Sequence, residues 1–129
     1  MIKSLFLVIF LSFLPVTVEK TYFKNHFKNG NLKSEGWLYK NQKVDYWFYY
    51  FENGNKKSQG SYKDNKKIDW WIVYRNDGTI LKKCEYQNDV VSGLCIVYNQ
   101  DKIICAEKYE NGIKKKIYYT VEEYKKDQK

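Results

Sequence analysis

The side chains best suited to covalent chemistry are Cys84, Cys95 and Cys105, spaced by eleven and ten residues. Thiols at these intervals either oxidise to a disulfide or pack as small apolar residues. With no C-x-x-C pair and His26 as the one histidine, they do not make a structural zinc site. His26 has no second histidine with which to share a metal or relay a proton, so it reads as a partly exposed strand residue. Asp45 and Asp69 could be taken for a carboxylate pair. They stand 24 positions apart at the same point of two similar segments, and that repetition favours turn or strand-start residues over acid–base work. There is no G-x-S-x-G, no H-E-x-x-H and no phosphate-cradling glycine loop. The reading is of a chain that is not an enzyme, with no catalytic, cofactor-binding or metal residues and no small-molecule substrate.

The elements that must position these residues are organised by the stretch Trp47 to Gly60. The aromatic strand from Trp47 to Phe51 leads into Asn53-Gly54, and a polar return strand ends at Gly60. With Asn53-Gly54 as the central residues of a primed turn, Glu52 pairs with Asn55, Tyr50 with Lys57 and Trp47 with Gly60. An indole then faces a position without a side chain, a pairing that pins register.

This hairpin recurs every 24 residues. Gly30, Gly54 and Gly78 form one column, Phe23, Trp47 and Trp71 a second, and Gly36, Gly60 and Cys84 a third; Tyr50, Tyr74 and Tyr98 also align. A fixed period of this size is the signature of a repeat array. A fourth, degenerate copy begins at Tyr98, with its turn at Asn99 to Lys102 and one residue lost before Tyr109. A second hairpin in each unit turns at Asn41 or at Asp64-Asn65, residues that tolerate positive φ. The expected fold is all-β: an antiparallel meander of about eight to nine short strands forming a curled single sheet or β-roll, because both sides of Trp70 to Tyr74 are apolar.

Residues 1–18 carry Lys3, an apolar run from Leu5 to Leu14 and then Pro15, the pattern of a secretory signal peptide. The expected organisation is therefore a signal peptide over 1–18, the array over 19–112 and a Lys-rich strand or tail over 113–129. The destination would be secreted, periplasmic or cell-envelope. Loss of Lys3 from a formal charge of +8 leaves about +7 on the mature chain. Such lysines commonly mark solvated faces and protected sheet edges. The alternative is a basic surface for anionic lipid, glycan or nucleic acid, with nucleic acid the least favoured.

An oxidising compartment makes a disulfide the first hypothesis for the thiols. If Asn88-Asp89 form a two-residue turn, Cys84 faces Gly93 and lies diagonal to Cys95, while Cys105 points to the other face, which favours Cys84 with Cys95. Packing substitutions remain the other reading, since Cys95 falls in the tryptophan column and Cys84 in the glycine column. At the end of the chain, Thr120 and Glu123 could form a capping box for one or two helical turns, or the segment could fray.

The unit NGNLKSEG followed by WLYKNQKVDYWFYYFE, and again NGNKKSQGSYKDNKKIDWWIVYRN, resembles the MORN repeat, in particular a bacterial variant often labelled antitoxin-like. The likeness covers residues 21 to about 112. It departs from the pattern where the glycine before x-W is Asp45 and Asp69, returning only as Gly93, and where the second turn glycine is Asn41 and Asn65. The resemblance implies a repetitive antiparallel sheet and a scaffold or interaction role, with protein partners and acidic phospholipids as the targets of related repeats. The expected partner is a protein, bound through Tyr50, Trp70, Tyr74 and Tyr98. The runner-up is an anionic membrane surface bound through Lys56-Lys57, Lys66-Lys67 and Lys114, Lys115 and Lys116; an antitoxin-like neutralising role is a further alternative implied by the resemblance.

Overall fold

A computed structural model describes residues 15–129. Most of the expected signal peptide, residues 1–14, lies outside the described residues. Nine strands follow one another: β1 (Thr21–His26), β2 (Leu32–Tyr39), β3 (Gln42–Tyr50), β4 (Lys56–Lys63), β5 (Lys66–Tyr74), β6 (Ile80–Gln87), β7 (Val90–Asn99), β8 (Lys102–Glu110) and β9 (Ile113–Tyr118). They form one unclosed antiparallel meander in sequence order, followed by a single short helix, α1 (Val121–Asp127). Tight turns leave no length for a crossover, so each strand must pair with the one before it.

Two kinds of turn alternate. The Asn-Gly turns differ from the primed two-residue turn read from sequence. The Gly54 N–H donates to Phe51 O at 3.0 Å, and the Phe51 N–H donates to Asn55 O at 2.8 Å. Gly54 alone takes positive φ there, +90°. This is a three-residue loop: the Asn53 side chain accepts the Asn55 N–H at 2.9 Å, which holds Asn53 out of the left-handed region and passes that conformation to glycine. The same bonds recur at Gly30 and Gly78. Tyr50 consequently pairs with Lys56 instead of Lys57, and a bulge restores Trp47 to Gly60. The other turns are two-residue and primed, with both residues at positive φ at Lys40-Asn41, Asp64-Asn65 and Asn88-Asp89. Gln100-Asp101 is also of this kind, which locates the lost residue of the fourth copy in its turn.

A second bulge explains the unusual aspartates. Asp45 and Asp69 both have φ +58°, and Gly93, the next member of their column, has φ +112°. Asp is among the residues that tolerate this region with least cost. Asp69→Val is therefore expected to destabilise by about 1–2 kcal/mol and Asp69→Gly to be near neutral, as read from denaturant midpoints. The bulge also shifts β6 against β7: Gln87 pairs with Val90, yet Cys84 meets Cys95 directly rather than Gly93.

Hydrogen bonds between successive repeats stitch the turns into two rims. On one, Asn31 and Asn55 side chains donate to Glu52 O at 2.7 Å and Asn76 O at 2.9 Å, and Arg75 continues the row to Tyr98 O at 2.7 Å. On the other, the Asn65 and Asp89 N–H groups donate to Lys43 O and Lys67 O at 2.9 and 3.0 Å. These bonds draw successive repeats together at both ends of the strands, so neighbouring units stack rather than splay.

Directly opposed residues share a face, which sorts the side chains into two sets. On the core face, Trp47 and Trp71 are each 1% exposed. Trp47 lies over Gly36 and Trp71 over Gly60, with Tyr62 edge-on to both at 6.1 and 5.1 Å. The indole N–H groups donate to Trp37 O at 3.0 Å and Ser61 O at 3.1 Å, again one period apart. Lys43 and Lys67 close the face from above, their ammonium groups 5.0 Å from the Trp47 ring and 4.4 Å from the Trp71 ring. Cys84 and Cys95, bonded to each other, extend the row and are as buried as the indoles.

The end of the chain resolves the choice left by the sequence. Thr120 caps α1 with both halves of the capping box to Glu123, and Tyr118 is buried against Tyr124 while its hydroxyl donates to Asp127.

Candidate interaction face

The face opposite the tryptophan core carries the four aromatic residues expected to bind a partner. Trp70 and Trp71 are consecutive, so alternation sends them to opposite sides, and Trp70 is 43% exposed where Trp71 is sealed. Tyr50, Tyr74 and Tyr98 are half-buried on the Trp70 side. Each reaches back over the residue fifteen positions earlier. Tyr50 donates its hydroxyl to Glu35 at 3.0 Å, Tyr74 donates to the Gln59 side chain at 3.1 Å, and the Lys83 ammonium lies 5.4 Å from the Tyr98 ring. Gln59 also donates to the Tyr46 hydroxyl at 3.0 Å, which ties adjacent aromatic strands together.

Burial and the Glu35 carboxylate push the Tyr50 hydroxyl up to about 12; burial raises Tyr49, Tyr74 and Tyr86 and, with the Tyr49 hydrogen bond, Tyr62 as well. The folded protein therefore holds phenolic protons that the unfolded chain releases near pH 10. Their stabilisation is complete below pH 10 and is lost as pH rises toward and past 12. Denaturant midpoints should accordingly fall steeply between pH 10 and 12, with phenolate absorbance appearing together with loss of structure.

Three residues that the sequence reading missed, Tyr22, Tyr46 and Leu94, complete this face around Trp70. Tyr22, Tyr46, Trp70 and Leu94 are spaced by 24 and immediately precede the core column; the first three are exposed. The signal was available as a further column, offset by one residue from the core column. Phe48, Ile72 and Ile96 make the row beside it, with Phe48 edge-on to Tyr46 at 5.2 Å. Toward the C-terminus the face runs into an apolar cleft of about 310 Å³ between β7, β8 and α1, walled by Leu94, Ile96, Ile103, Val121 and Tyr124.

The lysines of the membrane alternative do not gather. Lys56 and Lys57 start β4 at the rim of the Asn-Gly turns and lie 5.2 and 5.8 Å from the Phe48 and Phe51 rings, whereas Lys66 begins β5 at the opposite rim. Lys67 is withdrawn over Trp71, and burial lowers its pKa. Lys114 pairs with Glu107 at 2.7 Å and Lys116 with Asp127 at 2.6 Å; Lys115 is exposed between them. Asp45 is held by Lys20 at 2.6 Å, and no group of three metal-ligating side chains occurs among the described residues. Cys105 is not bonded and, contrary to the parity read from sequence, pairs with Val97 on the same face as Cys95.

No protein-family model matches the chain, and no curated protein matches it. The likeness to the MORN repeat thus rests on the residue columns themselves.

Proposed function

We propose that this chain is a non-enzymatic interaction module of MORN-repeat type, exported by its apolar leader, that binds a protein partner through the aromatic face opposite its tryptophan core. One observation carries the reading. The sheet seals Trp47 and Trp71 on one side yet leaves Tyr22, Tyr46 and Trp70 exposed in a row on the other, continuous with an apolar cleft. A contiguous apolar surface rimmed by polar groups is what a partner covers, and Tyr and Trp are common anchors. The tyrosine hydroxyls of the neighbouring row are already held by Glu35 and Gln59, so the face is pre-ordered and binding would immobilise little. The dispersal of the lysines over two rims and their pairing with Glu107 and Asp127 weigh against an anionic membrane as the main target.

Photocrosslinking in the native cells tests this. A photoreactive residue at position 70 or 46 is expected to give the same discrete protein adduct, and one at Asp64, on the rim, none. Once that partner is purified, Trp70→Ala should weaken binding by about tenfold or more. Absence of adducts from the face, together with salt-sensitive binding to acidic vesicles, would overturn the proposal in favour of the membrane.

A further inference from the structure

Each member of the core column is seated against the strand before its own, except the first. A Cβ at Gly36 would lie 2.3 Å from the Trp47 ring, and one at Gly60 would lie 2.4 Å from the Trp71 ring. Cys95, the next member, is joined to Cys84 on the preceding strand. Phe23 heads this column on β1, where it pairs inward with Gly36, and it is 43% exposed. Among the described residues no strand lies beyond β1. The two edges of the sheet are also finished differently. β9 carries Lys114, Lys115 and Lys116 and is followed by a capped helix, devices that protect an edge or close an array. β1 is exposed along its whole length and carries one lysine, Lys24, and no acidic residue.

We infer that β1 is an acceptor edge: it takes an extended segment of a partner protein as an added antiparallel strand, with a glycine opposite Phe23 and an acidic residue opposite Lys24. Backbone pairing would supply affinity and the Phe23 position would set register. The chain itself offers a poor occupant. A strand preceding β1 in the same register would turn at Val16-Thr17, the equivalents of Lys40-Asn41, and β-branched residues resist the positive φ that this turn requires. A second copy is no better suited, because its glycine-bearing strands β2, β4 and β7 are bonded on both sides. This edge is separate from the aromatic face, and the inference does not depend on the reading of that face.

The test uses the isotopically labelled full chain and a synthetic peptide of residues 32–39, LKSEGWLY, which carries Glu35 and Gly36 in the required order. Saturable amide shifts confined to Thr21–His26 and its flanks are expected. The peptide with Gly36→Val should bind at least about tenfold more weakly, although valine is the better strand former. Phe23→Ala in the chain should weaken binding of the unmodified peptide similarly. Shifts located elsewhere, no saturable shifts, equal binding of the two peptides, or a β1-mediated dimer of the chain would each overturn the assignment.

Discussion

Gly60→Ala is expected to destabilise the protein by about 3–5 kcal/mol, the cost of expelling a buried tryptophan. The single added carbon would sit 2.4 Å from Trp71 Cδ2, and the ring has nowhere to retreat: Tyr62 stands edge-on at 5.1 Å and Lys67 caps it at 4.4 Å. Gly36→Ala should behave alike through Trp47. The sequence places Trp47 opposite Gly60, and that pairing exists in the backbone. The ring that fills the space, however, belongs to Trp71 on the far side of Gly60, because each indole leans over the preceding strand. Gly54→Ala is the control. Nothing lies within 4 Å of its Cβ position, so only the positive φ of +90° resists, at about 1 kcal/mol. Urea midpoints of the three variants order these effects directly.

Reduction of the Cys84–Cys95 bond should cost about 2–3 kcal/mol, the range expected for closing a loop of this size. The bond sits in the core row where the neighbouring copies place a glycine under an indole, so its loss leaves two small thiols in a space that elsewhere holds Trp47 or Trp71. Cys84→Val, which the column logic would rate a tolerant change, should therefore be costly. A midpoint that falls in reductant for the wild type and for Cys105→Ser, but not for the Cys84→Ala/Cys95→Ala variant, is the expected pattern; insensitivity of the wild type to reductant would contradict it.

The array was legible in the sequence because its determinants are local. Asn-Gly, the alternation around Trp47 and the 24-residue period each report a turn, a face or a repeat without reference to distant contacts. Two details were not. The Asn53 side chain chooses between two turns that both contain Asn-Gly, and an Asx bond to Asn55 decides it. The bulges at Asp45, Asp69 and Gly93 shift the register by two residues, which keeps both parity and period, so they leave no mark on column spacing, and the one at Gly93 puts Cys95 where the sequence places Gly93; a separate one-residue shift between Val97 and Tyr98 flips the parity of β8 and carries Cys105 to the Cys95 face. For the candidate face, Tyr50, Trp70, Tyr74 and Tyr98 could be picked as aromatic members of columns, yet which columns face outward depended on knowing that Trp47 and Trp71 are sealed. Once that is known, Tyr22, Tyr46 and Leu94 follow by offset.

The most direct test of the two-faced sheet compares adjacent residues of one strand. Trp71→Ala and Trp70→Ala remove the same side chain from opposite faces, and their urea midpoints can be measured side by side. Trp71→Ala should lose about 3–5 kcal/mol and Trp70→Ala about 0.5 kcal/mol or less. Equal losses, or the larger loss at Trp70, would contradict the assignment of one face to the core and the other to a partner.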